Sequence, residues 1–357
     1  MARTIKSPFV EDIKELLRSA KERVVTAINI AMVYTNYEIG RRIVEEEQKG
    51  SNRAKYGEEV LQQLSKALTD EFGRGYSYRN LKLIRQFYLI YSNDEIPQSL
   101  IAQSQDQIRQ TPFAQSQHYP VTKKQRQFFL SWGHYIRLMR ISNVDERHFY
   151  EIESYTNRWS VREFDRQYDS SLYERLALSR NKEEIKKLSQ VGQVIEKPTD
   201  AIKNPLVLNF LDLKEESVYS EKELETKIID KLQDFLMELG KGFTFVKRQM
   251  RLSFDEQNFY ADLVFYHRFL RCFVVIDLKI GELKHQDIGQ MQMYVNYFDR
   301  YVKTGDENKT IGILLCKDKN SAIVELTLPE DNDQIFASKY EINLPSKEEL
   351  KKLLEDK

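Results

Sequence analysis

The stretch FYADLVFYHRFLRCFVVIDLK, residues 259–279, decides the fold of the C-terminal half of this chain. It contains two runs of β-branched and aromatic residues, 259–266 and 272–279, which are typical of strands. The connection between them is short enough for a β-hairpin. If its turn centres between Phe269 and Leu270, residues face each other when their numbers sum to 539.

In this register two aspartates face each other, Asp262 on the first strand and Asp277 on the second. Directly opposed residues share one face of a sheet, with Cβ atoms about 5 Å apart. Lys279 projects from the same face, about 7 Å beyond Asp277. Facing carboxylates repel each other, and burying an unpaired charge is costly. The pattern therefore indicates a divalent cation between the acids. The alternative is a structural Asp277–Lys279 salt bridge beside an unrelated surface acid.

The sequence on either side places this hairpin in an α/β domain. The pattern predicts, in order, a helix over 222–239, strands over 243–252, 259–266 and 272–279, a helix over 285–302 and a strand over 310–316. A less regular tail follows and closes with a short helix that Ser346 and Glu349 can cap. We therefore expect an α-β-β-β-α-β core built on a mixed sheet.

Residues 1–190 instead carry apolar residues at helical spacing and are predicted to form an α-helical domain. A shift in composition near 181–200 marks the boundary with a second domain, residues 191–357. Residues 93–121 are rich in Gln and Ser and lack periodicity, so we expect a long or mobile loop there.

A helix-turn-helix layout is expected within the helical domain. A helix over 56–72 is broken by Gly73 and Gly75, and Ser77 can cap the helix that follows. The second helix carries three cations: Arg79, Lys82 and Arg85. These three are candidates for contacts with nucleic acid. The alternative is ordinary packing of two amphipathic helices joined by glycine.

Charge points to the same part of the chain. The 357 residues carry 55 basic and 55 acidic side chains, yet residues 74–140 hold 10 basic against 3 acidic ones. A local excess of cations is expected where a polyanion binds, and it is equally typical of a solvated helical face.

The cysteines and the N-terminal sequence indicate the cellular compartment of the protein. The two cysteines, Cys272 and Cys316, lie in strand-like runs, and we expect buried thiols in a reducing environment. The N-terminus has no apolar segment of the signal-peptide type, and no stretch approaches about 18 uninterrupted apolar residues. We therefore expect a soluble, cytoplasmic protein.

The chemistry that suits two facing carboxylates and a lysine is phosphodiester hydrolysis. Mg²⁺, with Mn²⁺ as an alternative, prefers oxygen ligands and keeps several waters. Asp262, Asp277 and the backbone carbonyl of Leu278 would leave room for water and a phosphate oxygen. The metal would stabilise charge at phosphorus and acidify the attacking water. Lys279 would orient that water or stabilise the developing charge.

The motif Asp262…Asp277-Leu278-Lys279, in the element order given above, resembles the PD-(D/E)XK nuclease superfamily, whose domain is restriction-endonuclease-like. The longer block FYADLVFY…DLK…HQDIGQMQMYVNYFD, within residues 259–299, looks like the YhcG-like group. In that group a helical domain, considered to bind DNA, precedes the nuclease domain. The resemblance extends to segments 75–81 and 132–176 and so covers nearly the whole chain.

The resemblance implies that the two aspartates bind the metal and that the lysine is catalytic. It adds Glu225, at an acidic position that many members use as a further metal ligand or water contact. It also adds Gln290, which with Tyr294 matches a Q-x-x-x-Y pattern whose glutamine reaches toward the site. Ala261 departs from the superfamily's nominal proline, which performs no chemistry.

The sequence therefore predicts a Mg²⁺-dependent nuclease, and in particular a DNA endonuclease of repair or recombination, mobile-element processing or defence. Many superfamily members pair two sites to cut two strands, which implies a homodimer. Two alternatives stay open. One is a catalytically silent nuclease fold that binds DNA or serves in assembly, and the other is a nuclease acting on RNA or on branched junctions.

Overall fold

The structure of the protein is a computed structural model that describes residues 8–49, 53–94, 96–97, 99–102, 126–213, 219–318, 324 and 326–355. Most of the loop predicted over 93–121 lies outside these residues. The chain forms two compact units. The first comprises Met1–Arg166 and Lys186–Gly192, and the second comprises Gln167–Ile185 and Gln193–Lys357.

The described part of the chain up to residue 191 is helical, as predicted. Its longer α-helices are α1 Pro8–Lys49, α2 Arg53–Phe72, α3 Tyr78–Tyr91, α4 Trp132–Leu138, α5 Val144–Thr156, α6 Val161–Asp169, α7 Leu172–Leu178 and α8 Lys182–Val191. None of the described helices combines the length and the apolar content that a bilayer crossing requires.

Helices α1, α2 and α3 pack on one another through a small apolar core. Its buried members are Ile43, Leu61, Leu81 and Ile84. Gly40 allows α1 to approach α3 closely, because a Cβ atom at this position would collide with the carbonyl oxygen of Ile84.

The chain turns between α2 and α3 where the glycines predicted it. Gly73 has a φ of +86°, in the left-handed region that favours glycine. A short 3₁₀ turn follows over Arg74–Tyr76. The Ser77 side chain then caps α3 by accepting the N–H of Asn80.

The first part of α1 presents an apolar stripe to solvent. Eight apolar side chains between residues 10 and 32 are 41 to 64% exposed. The stripe includes a three-four repeat of apolar residues: Val10, Ile13, Leu17, Ala20, Val24, Ala27 and Ala31. A repeat of this period brings its members to one side of a helix, as in a coiled coil.

The second unit contains a six-stranded mixed sheet. Its strands are β1 Leu206–Val207, β2 Phe243–Phe254, β3 Gln257–His267, β4 Cys272–Glu282, β5 Ile311–Asp318 and β6 Ile335–Glu341. They lie in the order β1-β6-β5-β4-β3-β2. Strands β2, β3 and β4 are antiparallel neighbours, whereas β4, β5, β6 and β1 run parallel. The four predicted strands and the mixed sheet are confirmed.

Helices lie on both faces of this sheet. Beyond residue 193 the second unit includes the helices α9 Pro198–Ala201, α10 Glu221–Asp230, α11 Leu232–Leu239, α12 His285–Tyr297 and α13 Lys347–Glu355. Helices α10 and α11 pack on the face that carries Leu263 and Ile276, and α12 packs on the face that carries Val264 and Val275. From Leu263 to His267, even-numbered residues of β3 share the α12 face with odd-numbered residues of β4, whereas Ala261, before Asp262, also packs on the α12 face.

Three details differ from the predicted elements. The single helix expected over 222–239 is two helices, because the chain breaks at Lys231. The helix expected over 285–302 ends at Tyr297 and continues as a π-helical turn. The tail predicted as irregular contains β6, which pairs with the preceding strand β5 on one side and with the distant strand β1 on the other.

Candidate active site

Asp262 and Asp277 lie where the ladder between β3 and β4 stops. The observed pairs run from His267 opposite Cys272 to Leu263 opposite Ile276, so the predicted sum of 539 is confirmed. The next facing positions belong to the two aspartates. They form no backbone pair in the described ladder. Instead, Asp262 Oδ2 accepts the N–H of Leu278 at 2.9 Å. The strands therefore part at this point, with both acids at the opening.

The second carboxylate oxygen of Asp262 accepts a hydrogen bond from a residue of β2. Asp262 Oδ1 accepts a hydrogen bond from Gln249 Nε2 at 3.0 Å, and the same nitrogen donates to Glu225 Oε2 at 2.8 Å. Glu225 is buried on α10, and its Oε1 accepts from Arg248 Nε at 2.6 Å. Both oxygens of Glu225 thus accept hydrogen bonds from β2, and Gln249 links this acid to Asp262.

Asp277 is buried and meets the lysine of the motif. Its Oδ2 lies 2.8 Å from Lys279 Nζ. The two atoms form a buried ion pair, so the lysine ammonium already serves as the cationic partner of this oxygen. Burial, followed by the charge of Asp262, raises the pKa of Asp277 to about 7, although Lys279 opposes the shift. A buried carboxylate oxygen of this kind is a favourable place for a cation.

Lys279 lies among three carboxylates. Its Nζ is 3.9 Å from Glu221 Oε2 and 3.8 Å from Asp287 Oδ1, in addition to its contact with Asp277. Burial by itself lowers the pKa of Lys279, but the neighbouring acids raise it further, so its net shift is upward. The ammonium therefore remains protonated at neutral pH.

Gln290 and Tyr294 lie one turn apart on α12, the helix on the face of the acids. Gln290 Nε2 donates to the Tyr294 hydroxyl at 2.5 Å, and that hydroxyl donates to the Tyr260 carbonyl at 2.9 Å. Burial, followed by the charge of Asp277, raises the pKa of Tyr294 to about 12. Tyr294 is therefore a neutral donor near the acids, and Gln290 is fixed beside it.

The donor set at this opening suits a hard divalent cation. The N–H and C=O of one residue point to the same side of a strand. The Leu278 carbonyl therefore faces the side on which its N–H meets Asp262. Two carboxylates and a carbonyl are the oxygen ligands that Mg²⁺ prefers. Over the described residues, no group of three or more His, Cys, Asp or Glu side chains is arranged to hold a metal. A cation here would complete its coordination with water.

Sequence reasoning missed several residues of this neighbourhood. Arg248 and Gln249 gave no signal, because neighbours on a strand are expected to point to opposite faces. Glu221 and Asp287 lie in the first turns of α10 and α12 and looked like ordinary helix-start acids. Their proximity to Lys279 arises only when both helices are placed on the sheet.

The three cations predicted on α3 lie in the first unit and differ in their surroundings. Arg79 and Lys82 are exposed, and the Lys82 Nζ lies 4.7 Å from the centroid of the Tyr78 ring. Arg85 is half-buried, and its Nε lies 2.6 Å from Glu47 Oε2. Its charge is thus already compensated within the unit.

The mixed sheet with helices on both faces, and the D…DxK motif at the opening between β3 and β4, define a nuclease domain of the PD-(D/E)XK class. Family models agree with this assignment. Residues 199–355 match the YhcG PDDEXK nuclease domain, and residues 12–175 match the DUF1016 N-terminal domain. Over 345 residues the chain is 39% identical to "Putative nuclease YhcG" of Escherichia coli (strain K12), covering 95% of this chain and 91% of that protein. The chain belongs to the YhcG family.

Solved structures share a smaller part of the chain. A repair endonuclease from Pyrococcus abyssi is 18% identical, with 37% of this chain and 50% of that chain covered and a TM-score of 0.24. An EndoMS–dsDNA2 complex is also 18% identical, with 38% and 50% covered and a TM-score of 0.26.

Proposed function

We propose that this chain is a Mg²⁺-dependent endonuclease that hydrolyses phosphodiester bonds in DNA. The observation that carries the proposal is the opening between β3 and β4. There, the facing carboxylates Asp262 and Asp277 lie beside a protonated lysine, whose Nζ is 2.8 Å from the buried Asp277 Oδ2. Membership of a nuclease family supports the same reaction class.

The chain's own residues take distinct parts in this mechanism. Asp262 and Asp277 would hold the cation together with the Leu278 carbonyl. When bound, Mg²⁺ or Mn²⁺ supplies charge neutralisation at the phosphate and a more acidic water. Lys279, kept protonated by its acidic neighbours, stabilises negative charge on the phosphate oxygens as it develops.

Two further residues are proposed as accessory members of the centre. Glu225 acts from α10 on the residues that surround Asp262. Gln290, fixed beside Tyr294, supplies a neutral donor near the acids and would meet the substrate backbone.

The helical residues 1–190 are proposed to bind the DNA, with α2, the turn and α3 as the helix-turn-helix element. Arg79 and Lys82 are exposed on α3, as phosphate contacts require. Arg85 belongs to the same candidate set, with a smaller contribution because of its contact with Glu47. The protein would act on chromosomal or invading DNA in the cytoplasm.

We further propose that the enzyme is a homodimer that pairs through the apolar stripe of α1. Its eight exposed apolar side chains are each about half accessible to solvent. With a full side-chain area of about 150 Å², together they offer roughly 600 Å² of accessible surface. Each partner in a standard interface buries about 800 Å², so the stripe is close to that size. The seven positions of its three-four repeat carry no charge, as the seam between two copies requires.

Cleavage assays test the proposed reaction. Supercoiled, linear, branched and RNA substrates would be incubated with Mg²⁺, Mn²⁺ or EDTA and compared for the wild type, Asp277→Ala and Lys279→Ala. We expect metal-dependent cleavage of DNA by the wild type only. Binding of DNA without cleavage in the presence of either metal would favour the catalytically silent nuclease fold. Preferred cleavage of RNA or of branched junctions would favour a nuclease that acts on those substrates.

A further inference from the structure

We infer that Gln249 is a positioning residue of the nuclease centre, which fixes the Asp262 carboxylate for the cation, and that Glu225 is the anchor of Gln249. The inference rests on the proposed function and adds a residue to it. It also gives Glu225 a role through hydrogen bonds instead of direct metal contact.

The backbone of Gln249 departs from that of a strand. Its φ is +45°, in the left-handed region that a non-glycine residue seldom adopts. In the ladder between β2 and β3, Arg248 pairs with Leu263 and Met250 pairs with Ala261, and Gln249 is passed over. The position that it would face is that of Asp262. The irregular residue of β2 therefore lies opposite the proposed metal ligand.

This irregular backbone explains how the consecutive residues Arg248 and Gln249 both contact Glu225. Consecutive residues of a regular strand point to opposite faces. Arg248 and Gln249 nevertheless both donate to Glu225, at 2.6 Å and 2.8 Å. The left-handed turn at Gln249 brings its amide to the side of Glu225 while keeping it within 3.0 Å of Asp262. Strained backbone that the surroundings maintain is often part of a site's organisation.

The chemistry of an amide suits this position. Gln249 donates hydrogen bonds to two carboxylates, so it joins them without adding a charge. A lysine or arginine here would neutralise Asp262 and compete with a cation, whereas the amide leaves its negative charge intact. Asp262 is then oriented through both oxygens, by Gln249 and by the Leu278 N–H. Each oxygen still has a lone pair for a metal.

Three variants separate the side chain from the backbone. Gln249→Leu removes the donor and keeps the bulk. Gln249→Gly removes the donor and relieves the left-handed strain, so it remains informative if the leucine variant fails to fold. Gln249→Asn keeps an amide on a residue type that tolerates this conformation. Gln257→Leu, at an exposed position of the same hairpin, is the matched control.

The first measurement is Mn²⁺ binding to the full chain without DNA, by calorimetry or by paramagnetic resonance, with melting temperature in EDTA recorded alongside. We expect Gln249→Gly and Gln249→Leu to weaken Mn²⁺ binding by about 10-fold or more, as the loss of a ligand's supporting hydrogen bond does. Gln249→Asn should recover part of the affinity, and Gln257→Leu should bind normally.

The second measurement is cleavage kinetics over a range of DNA concentrations. Loss of positioning should lower kcat with little change in KM, and excess Mn²⁺ should restore part of the rate. Wild-type Mn²⁺ affinity in Gln249→Gly would overturn the inference and leave the proposed function standing. Absence of Mn²⁺ binding and of cleavage in the wild type would overturn the proposed function itself, and this inference with it.

Discussion

Asp262 and Asp277 occupy facing positions of β3 and β4, yet the backbone ladder ends one pair before them. The reason is local, because the Asp262 carboxylate takes the N–H of Leu278 that would otherwise be free at the ladder's end. The same hydrogen bond that stops the pairing also orients one acid and leaves the other buried beside Lys279. The break in the sheet and the candidate site are thus one feature.

The raised pKa of Asp277 predicts a pH dependence of stability in the metal-free protein. In the folded protein Asp277 keeps its carboxyl proton up to about pH 7, whereas in the unfolded chain it loses this proton above the ordinary pKa of 3.8. The free energy of unfolding therefore falls as pH rises through this window. Asp277→Asn mimics the protonated acid and should be more stable than wild type by roughly 4 kcal/mol at pH 8, with no gain below pH 4.

Urea unfolding in EDTA at pH 4, 6 and 8 measures this effect. Asp306→Asn is the control: a hydrogen bond from Thr304 lowers the pKa of this exposed acid, so the variant should show no such growing gain. A difference between Asp277→Asn and wild type that stays constant across the three pH values would contradict the raised pKa.

The cations of α3 should contribute unequally to DNA affinity. Replacing Arg79 and Lys82 together by Ala should weaken binding and lower the slope of log affinity against log salt by about 2, because two phosphate contacts are lost. Arg85→Ala should change the slope little, since its guanidinium already contacts Glu47. Fluorescence anisotropy at several salt concentrations measures these slopes. Unchanged affinity and slope after replacing all three would refute contact by this helix.

The α1 stripe predicts the oligomeric state. Light scattering should give the wild type twice the chain mass of 42.4 kDa. Leu17→Glu places a charge in the stripe and should give the mass of one chain, whereas Ser19→Glu adds the same charge on the polar side and should leave the dimer intact. A monomeric wild type, or a dimer that tolerates Leu17→Glu, would exclude this interface.

Close packing at Gly40 predicts a large loss of stability on a small change. Gly40→Ala would place a Cβ atom against the Ile84 carbonyl oxygen and 2.8 Å from the Tyr88 Cβ. Since both groups belong to a packed helix, the expected loss is about 2 kcal/mol. Gly289→Ala, in a helix with nothing within 4 Å of the new atom, should instead gain about 0.5 to 1 kcal/mol. Denaturant unfolding compares the two, and equal effects would contradict the packing.

The sequence predicted those parts of the fold that local pattern determines. The β3–β4 register followed from a short hairpin and alternating apolar residues, and the observed pairs keep it as far as Leu263 and Ile276, the last pair before the aspartates. What escaped prediction depends on contacts between distant segments. Strand β6 forms only because β1 and β5 flank it, and the left-handed backbone of Gln249 is maintained by Glu225 and Asp262, 24 and 13 residues away.

Cleavage of supercoiled DNA in Mg²⁺ by wild type, Lys279→Ala and Lys309→Ala tests the central claim most directly. Lys309 is an exposed lysine of the same unit and serves as the matched control. We predict that wild type and Lys309→Ala nick the plasmid at the same rate, that EDTA stops both, and that Lys279→Ala is slower by at least about 100-fold. Cleavage by Lys279→Ala at the wild-type rate would contradict the assignment of this site.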